Sequence, residues 1–346
     1  MVFTAVILLI SGGLLSYLGT LAFLRWSRKR DLLDIPNERS SHTVPVPRGA
    51  GLVIAIVCLV GYSLAGIFFN VPFSLVFLAA GAVIALIGWA DDLYSVPRIL
   101  RVSIQGICGL ALIYAVGYFD SVTFGPKTLA VTLWVFGIAV TFCWFIWVVN
   151  AFNFMDGIDG IAAGTGTAAA VFWLIFGYYY HALGIVVFAG LCGGACLGFL
   201  FFNRHPAKVF MGDVGSSFLG FAFAALPILA LSQSDAEREN VLLFAAASIW
   251  PFIFDTLFTF VRRLPKMGIS VWRPHRSHIY QVMVDHGMTH SRVAVIYIGC
   301  SLATGAAALG SMMFRGYLSY APAAAMVFVS VILVLFYMRC KKPRST

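Results

Sequence analysis

The sequence predicts an all-α integral membrane protein with about eleven transmembrane helices, its N-terminus outside and its C-terminus in the cytoplasm. Three observations predict this. The 346 residues are 61% hydrophobic and only 11% charged, whereas a soluble domain carries roughly a quarter charged residues. The apolar residues gather in blocks long enough to cross a hydrocarbon core of roughly 30 Å. The basic residues fall in alternate loops between those blocks.

The first block, residues 3–24, is followed rather than preceded by a basic cluster, Arg25, Arg28, Lys29 and Arg30. That order reads as a membrane span and not as a signal peptide. Ten further blocks follow at 50–69, 73–90, 102–119, 129–149, 161–179, 183–202, 215–231, 241–261, 293–313 and 318–338. Short polar loops separate them, so residues 1–346 read as a single polytopic domain, with 262–292 its longest loop. With the N-terminus outside, the inward-facing segments hold 20 of the 23 lysines and arginines; Lys127, Arg238 and Arg315 are the exceptions. This skew sets the orientation. It also accounts for the net charge of +9 without nucleic acid as a partner. The seven cysteines lie in apolar segments or at their ends, with no CxxC pair, and read as small packing residues.

The fourteen acidic residues carry the chemistry. Asp120, Asp235, Glu237 and Glu239 fall in outside loops; the other ten lie at or near the cytoplasmic side. Charge at a membrane helix end is costly and tends to be kept for a reason. Asp91 and Asp92 directly follow the apolar run 79–90. Adjacent carboxylates repel and favour a cation near them, though a solvated helix end would look the same.

Asn150, Asn153, Asp156 and Asp159 recur every third residue in NAFNFMDGIDG. In a 3₁₀-like turn they stack along one edge, and in an α-helix they drift around it. Oxygen ligands without His or Cys suit a hard ion such as Mg²⁺, with Mn²⁺ as an alternative. Asx-rich turn chemistry explains one or two such residues, not four in register. In FMGDVGSS, Asp213 sits between Gly212 and Val214 ahead of an apolar helix that Ser216 or Ser217 can cap. Exposed N–H groups there can hold a phosphate.

Two basic loops complete the set. Arg273, His275, Arg276 and His278, between Trp272 and Tyr280, offer phosphate donors and aromatic faces. With no cysteine nearby they do not read as a zinc site. Arg39, Ser40, Ser41, His42 and Arg48 form a Pro/Gly-shaped loop on the same side. Asp255, inside an apolar block, is left open between a structural role and the cleft floor. All five groups fall on one membrane face. Together they describe a cytoplasmic cleft with an oxygen-ligated metal and basic phosphate binders set against lipid. The chemistry that suits it is phosphoryl transfer between a soluble donor and a membrane-embedded acceptor.

The motifs RSSHTVPVPRGAG, Asp91-Asp92, NAFNFMDGIDG and FMGDVGSS, in this order and on this side, resemble those of the polyprenyl-phosphate N-acetylhexosamine-1-phosphate transferases. The likeness runs over almost the whole chain. It implies transfer of a sugar-1-phosphate from a UDP-N-acetylhexosamine to undecaprenyl phosphate in a bacterial inner membrane, with release of UMP. It implies Asp213 as the principal Mg²⁺ ligand, with Asn153 and Asp156 near the metal and the diphosphate. Asp91 is implied as base or nucleophile with Asp92 in support and Asp159 beside them, and Arg101 as a phosphate contact. Arg39, His42, Arg48, Asn150, Gly212, Ser216, His275, Arg276 and His278 are the expected substrate contacts. PHRSHIYQ differs from the His-rich loop of the peptidoglycan branch and is more similar to the branch that starts O-antigen or related surface polysaccharides. The muramoyl-pentapeptide transferase is therefore the alternative within the family. An aspartate-rich prenyltransferase or a membrane transporter are the alternatives outside it. A homodimer is compatible with this reading.

Overall fold

The computed structural model describes residues 2–30, 32–34, 44–234, 236–267, 275–314 and 317–341. The helices run, in order, α1 (Val2–Lys29), α2 (Gly51–Phe69), α3 (Leu75–Tyr94), α4 (Arg98–Ala115), α5 (Phe136–Met155), α6 (Ile161–Tyr179) and α7 (Leu183–Asn203). They continue with α8 (Gly212–Gln233), α9 (Arg238–Ser248), α10 (Trp250–Met267), α11 (Ile279–Asp285), α12 (His290–Met313) and α13 (Ala321–Lys341). Among the described residues ten helices are long and apolar enough to cross a membrane, and eleven if α9 and α10 form one bent span. The only strands described are two-residue pairs, β1 (Leu33–Asp34) with β2 (Val46–Pro47) and β3 (Ser121–Val122) with β4 (Val131–Thr132). The expectation of an all-α membrane protein holds.

Burial sorts the helices. The apolar stretch of α8 is buried throughout and those of α6 and α7 mostly so, while the outer helices bury a minority of theirs. The exposed side chains of the outer helices are large and apolar: Ile10, Leu14 and Leu18 on α1, Ile107 and Tyr114 on α4, Val327 and Phe328 on α13. A belt of this kind suits lipid, where the backbone satisfies itself within each helix.

Small residues let the inner helices approach. On α7, Gly190, Gly194 and Gly198 recur every fourth residue. A Cβ on Gly194 would strike the backbone of Leu9, and one on Gly198 would strike that of Gly13. The α1–α7 contact is thus a small-residue seam, which favours close helix crossing in lipid.

One predicted helix is corrected. The block 241–261 was expected to be a single span, but the chain bends by 78° between α9 and α10. Pro251 has no N–H to give the carbonyl of Ala247. That carbonyl instead accepts the Thr304 hydroxyl at 2.6 Å. Among the helices that start earlier than expected are α4, at Arg98, and α8, at Gly212. These shifts place Arg101 and Asp213 within first turns.

Candidate active site

The site is built around the N-terminus of α8. Gly212 has φ +77°, and a Cβ there would lie 2.5 Å from Asp92 Oδ2 and 2.7 Å from Gly49 Cα. Only glycine fits both the left-handed backbone and the space. Asp213 then falls in the first turn, where the helix dipole favours a carboxylate. The helix is capped from outside itself: Asp92, near the end of α3, accepts the Asp213 N–H at 2.8 Å and the Val214 N–H at 3.0 Å. These are among the donors that a helix start leaves without an internal partner. Gly88, one turn before Asp92, allows the approach, since a Cβ there would meet Val214 Cα at 2.7 Å.

The segment before α2 is laced to the same place. Gly49 and Ala50 N–H groups donate to Phe210 O at 3.2 Å, and Gly51 N–H to Met211 O at 2.9 Å. This positions Arg48 between two carboxylates. Its Nε lies 2.8 Å from Asp92 Oδ1 and its Nη2 3.0 Å from Asp213 Oδ2. Burial opposes the Arg48 charge, yet Asp213 and Asp92 outweigh it and hold the guanidinium above its ordinary pKa. Arg101 contacts Asp91 Oδ2 directly and comes within 3.7 Å of Asp213 Oδ2. The other oxygen of Asp91 accepts the Val96 N–H at 2.7 Å.

The four residues of the three-residue repeat point to different tasks. Asn150 donates to Gln105 Oε1 at 2.8 Å, away from the carboxylates. Asn153 donates to Asp213 Oδ1 at 2.6 Å and to Ser216 Oγ at 3.1 Å. Asp156 stands just past the end of α5 and lines the cavity. Among the described residues it makes no hydrogen bond or ion pair. Burial, with the negative charge of Asp213 nearby, pushes its carboxyl well above the ordinary value. Asp159 turns to two histidines, with Oδ2 2.6 Å from His205 Nδ1 and 3.3 Å from His290 Nδ1, and also takes the Ala207 N–H at 3.2 Å. Burial pushes this carboxyl up, but the contacts with His290 and His205 outweigh burial and hold it below its usual value.

Arg48, Asn153, Asp156 and Asp213 line a cavity of about 310 Å³, with Arg276 and Gln281 among its other walls. Arg276 also pairs with Asp285 at 2.9 Å. His278 is buried and faces Asp255 Oδ1 at 3.2 Å rather than the cavity. His275 meets Ser277 Oγ at 2.9 Å and stacks on His278 with ring centres 4.8 Å apart. Burial, with His278 and the guanidinium groups of Arg263 and Arg262 nearby, lowers its pKa to about 3, so it is neutral at physiological pH.

The structure therefore brings Asp91, Asp92, Arg48, Arg101, Asn153, Asp156, Gly212, Asp213 and Ser216 together, with Arg276 across the cavity. It sets Asn150, His275 and His278 to one side. Arg39 and His42, with Trp272 and Arg273 of the second basic loop, lie outside the described residues. Sequence reasoning passed over His205 and His290, and gave Gln281, the last residue of PHRSHIYQ, no role. His205 lay five residues before the FMGDVGSS run and His290 at a helix start, positions that no periodicity marks.

A family model described as glycosyl transferase family 4 matches residues 73–231. That range includes both aspartate pairs of the site and Asp213 but not Arg48 or α10–α12. A Bacillus subtilis (strain 168) protein named "Probable undecaprenyl-phosphate N-acetylglucosaminyl 1-phosphate transferase" is 35% identical over 277 residues, covering 77% of this chain and 74% of that protein. The decaprenyl-phosphate N-acetylglucosaminephosphotransferase of Mycobacterium leprae is 30% identical over 344 residues, covering 86% and 84%. The undecaprenyl-phosphate alpha-N-acetylglucosaminyl 1-phosphate transferase of Escherichia coli K12 is 27% identical, covering 97% and 92%.

Proposed function

Because this chain belongs to glycosyl transferase family 4, within the polyprenyl-phosphate N-acetylhexosamine-1-phosphate transferases, we propose that it moves N-acetylhexosamine-1-phosphate from a UDP-sugar to undecaprenyl phosphate and releases UMP. The general reaction, sugar-1-phosphate transfer to a polyprenyl phosphate, is that of its relatives. The product starts a lipid-linked O-antigen or related surface polysaccharide. The cavity faces the cytoplasm of a bacterial inner membrane, a reading supported by the skew of 20 of 23 basic residues to one side.

One observation carries the proposal. Five groups from distant segments, Asp91, Asp92, Asn153, Asp156 and Asp213, meet at one end of the bundle beside two arginines. A transporter would place such charge near the bilayer midplane. The donor set fits a hard divalent cation: Asp213, Asp156 and Asn153 offer oxygen, and Asp156 has no protein partner among the described residues. These three would hold Mg²⁺, or Mn²⁺ in its place; when bound, the ion neutralises charge on the diphosphate.

The side chains supply the remainder. Arg48 and Arg101 offer guanidinium groups to the phosphates. Asp92 and Asp213 keep Arg48 extended, and Asp91 does the same for Arg101, so Asp91 acts by orienting the acceptor's partner. A phosphate monoester loses its second proton near pH 6, so the acceptor needs no strong base. Its oxygen attacks the β-phosphorus of the donor. The bond from that phosphorus to the bridging oxygen breaks, and the electron pair leaves with UMP. One diphosphate replaces another, so positioning and electrostatics do most of the catalysis.

The test incubates purified protein with undecaprenyl phosphate, Mg²⁺ and a panel of UDP-N-acetylhexosamines and measures UMP. Release of UMP with one donor is expected. No UMP with any of them, or pyrophosphate in its place, overturns the proposal.

A further inference from the structure

We propose that Asp255 is a positioning residue for the donor side of the site: from inside α10 it holds α11, and α11 in turn holds the turn that carries Asp156. The inference rests on the donor-binding reading above.

Asp255 is fully buried in a helix of the membrane bundle. A carboxylate at such a place is unfavourable unless donors surround it, and donors do. Oδ1 accepts the Ile279 N–H at 2.9 Å and lies 3.2 Å from both His278 Nδ1 and Thr259 Oγ1. Oδ2 accepts the Tyr280 N–H at 3.1 Å and the Tyr297 hydroxyl at 2.5 Å. Two of these donors are the first two amides of α11, which α11 cannot satisfy itself. α11 has only seven residues, too few to stand as a helix without help. Its place is therefore set from outside, by a side chain of α10.

α11 passes that placement on. Tyr280, buried, donates its hydroxyl to Phe154 O at 3.0 Å and accepts Gln281 Nε2 at 3.1 Å. Phe154 lies in the last turn of α5, where carbonyls lack a helical partner. The same hydroxyl sits so close over Gly157 that a Cβ there would collide with it. Asp156 lies between these two contact points, and Gln281 lines the cavity opposite. The chain of contact runs from Asp255 through the 279–280 backbone and the Tyr280 ring to the backbone on both sides of Asp156. A buried carboxylate that only stabilised the bundle would have no such route to the site.

The experiment uses full-length Asp255→Asn and Tyr280→Phe, with Thr304→Val as a control that removes a buried hydrogen bond at the α9–α10 bend. Amide exchange is followed in segments 154–160 and 279–285. Asp255→Asn is expected to speed exchange in both, and Tyr280→Phe in 154–160 alone. Kinetics then separate the substrates. Both variants raise the KM for the UDP-sugar or lower kcat, by about 10- to 100-fold together, with the KM for undecaprenyl phosphate unchanged. Thr304→Val lowers the melting temperature and leaves the donor KM as it was. Wild-type exchange at 154–160 in Asp255→Asn overturns the proposal. So does a loss in which the donor and acceptor KM rise alike. Should the wild type release no UMP, the reaction proposed above fails, and the exchange measurement still decides the anchoring.

Discussion

Replacing Asp92 by asparagine keeps the volume and removes one acceptor oxygen, which isolates the cap of α8. The Asp92 side chain is 4% exposed and serves three donors. Oδ1 takes the Asp213 N–H and Arg48 Nε, both at 2.8 Å, and Oδ2 takes the Val214 N–H at 3.0 Å. Asparagine has one oxygen. With it in the Oδ1 position, its NH₂ faces the Val214 N–H and leaves that buried donor unpaired, at about 1–3 kcal/mol. The contact with Arg48 loses its charge-assisted half, roughly another 1 kcal/mol. The sum, about 2–4 kcal/mol, lowers the melting temperature by several degrees. Asp213 is in the same turn, and a shift of about 1 Å at a reacting geometry costs roughly a hundredfold in rate. Thermal unfolding in detergent measures the first effect, and UMP release at saturating substrates the second. Wild-type melting and turnover in Asp92→Asn would refute the capping argument.

Asp213→Asn should abolish transfer while the protein still folds and inserts into the membrane; full activity in the purified variant removes Asp213 from the mechanism. Chelation with EDTA should stop UMP release, and Mg²⁺ or Mn²⁺ should restore it. Gly212→Ala forces a left-handed backbone on alanine, about 1–3 kcal/mol of strain, and adds the collision with Asp92; the yield of folded protein on gel filtration should fall. His275 has its pKa lowered from 6.5 to about 3 by burial, with His278, Arg263 and Arg262 nearby. The unfolded chain therefore binds a proton that the folded one refuses. Its contribution is fully present above pH 6.5 and is lost as pH falls toward 3. His275→Gln should flatten the loss of melting temperature across that window.

Several features were legible along the chain because their physics is local. Membrane spans need only a long apolar run. Gly212 and Asp213 in FMGDVGSS, and Asn153 and Asp156 in NAFNFMDGIDG, stood out because oxygen-bearing side chains at helix ends of an apolar protein are scarce. The bend at Pro251 was missed although the proline was visible. Its partner in the bend, Thr304, lies on another helix, and a proline near a helix start need not break it. Asn150 and His278 were grouped with the site by spacing and turned away from it because Gln105 and Asp255 offered them nearer partners.

By itself, then, the sequence determined that this protein lives in a membrane, where its long apolar helices fall and which residue types are candidates to grip an ion and a phosphate. Tertiary structure alone decided the division of labour. Arg48 meets Asp213 across 165 positions and Asp92 caps Asp213 across 121, pairings that exist only once α3 and α8 cross at Gly88. Composition and periodicity report what each segment prefers on its own. A carboxylate becomes a cap, a clamp or an anchor through the donor that packing brings within 3 Å of it.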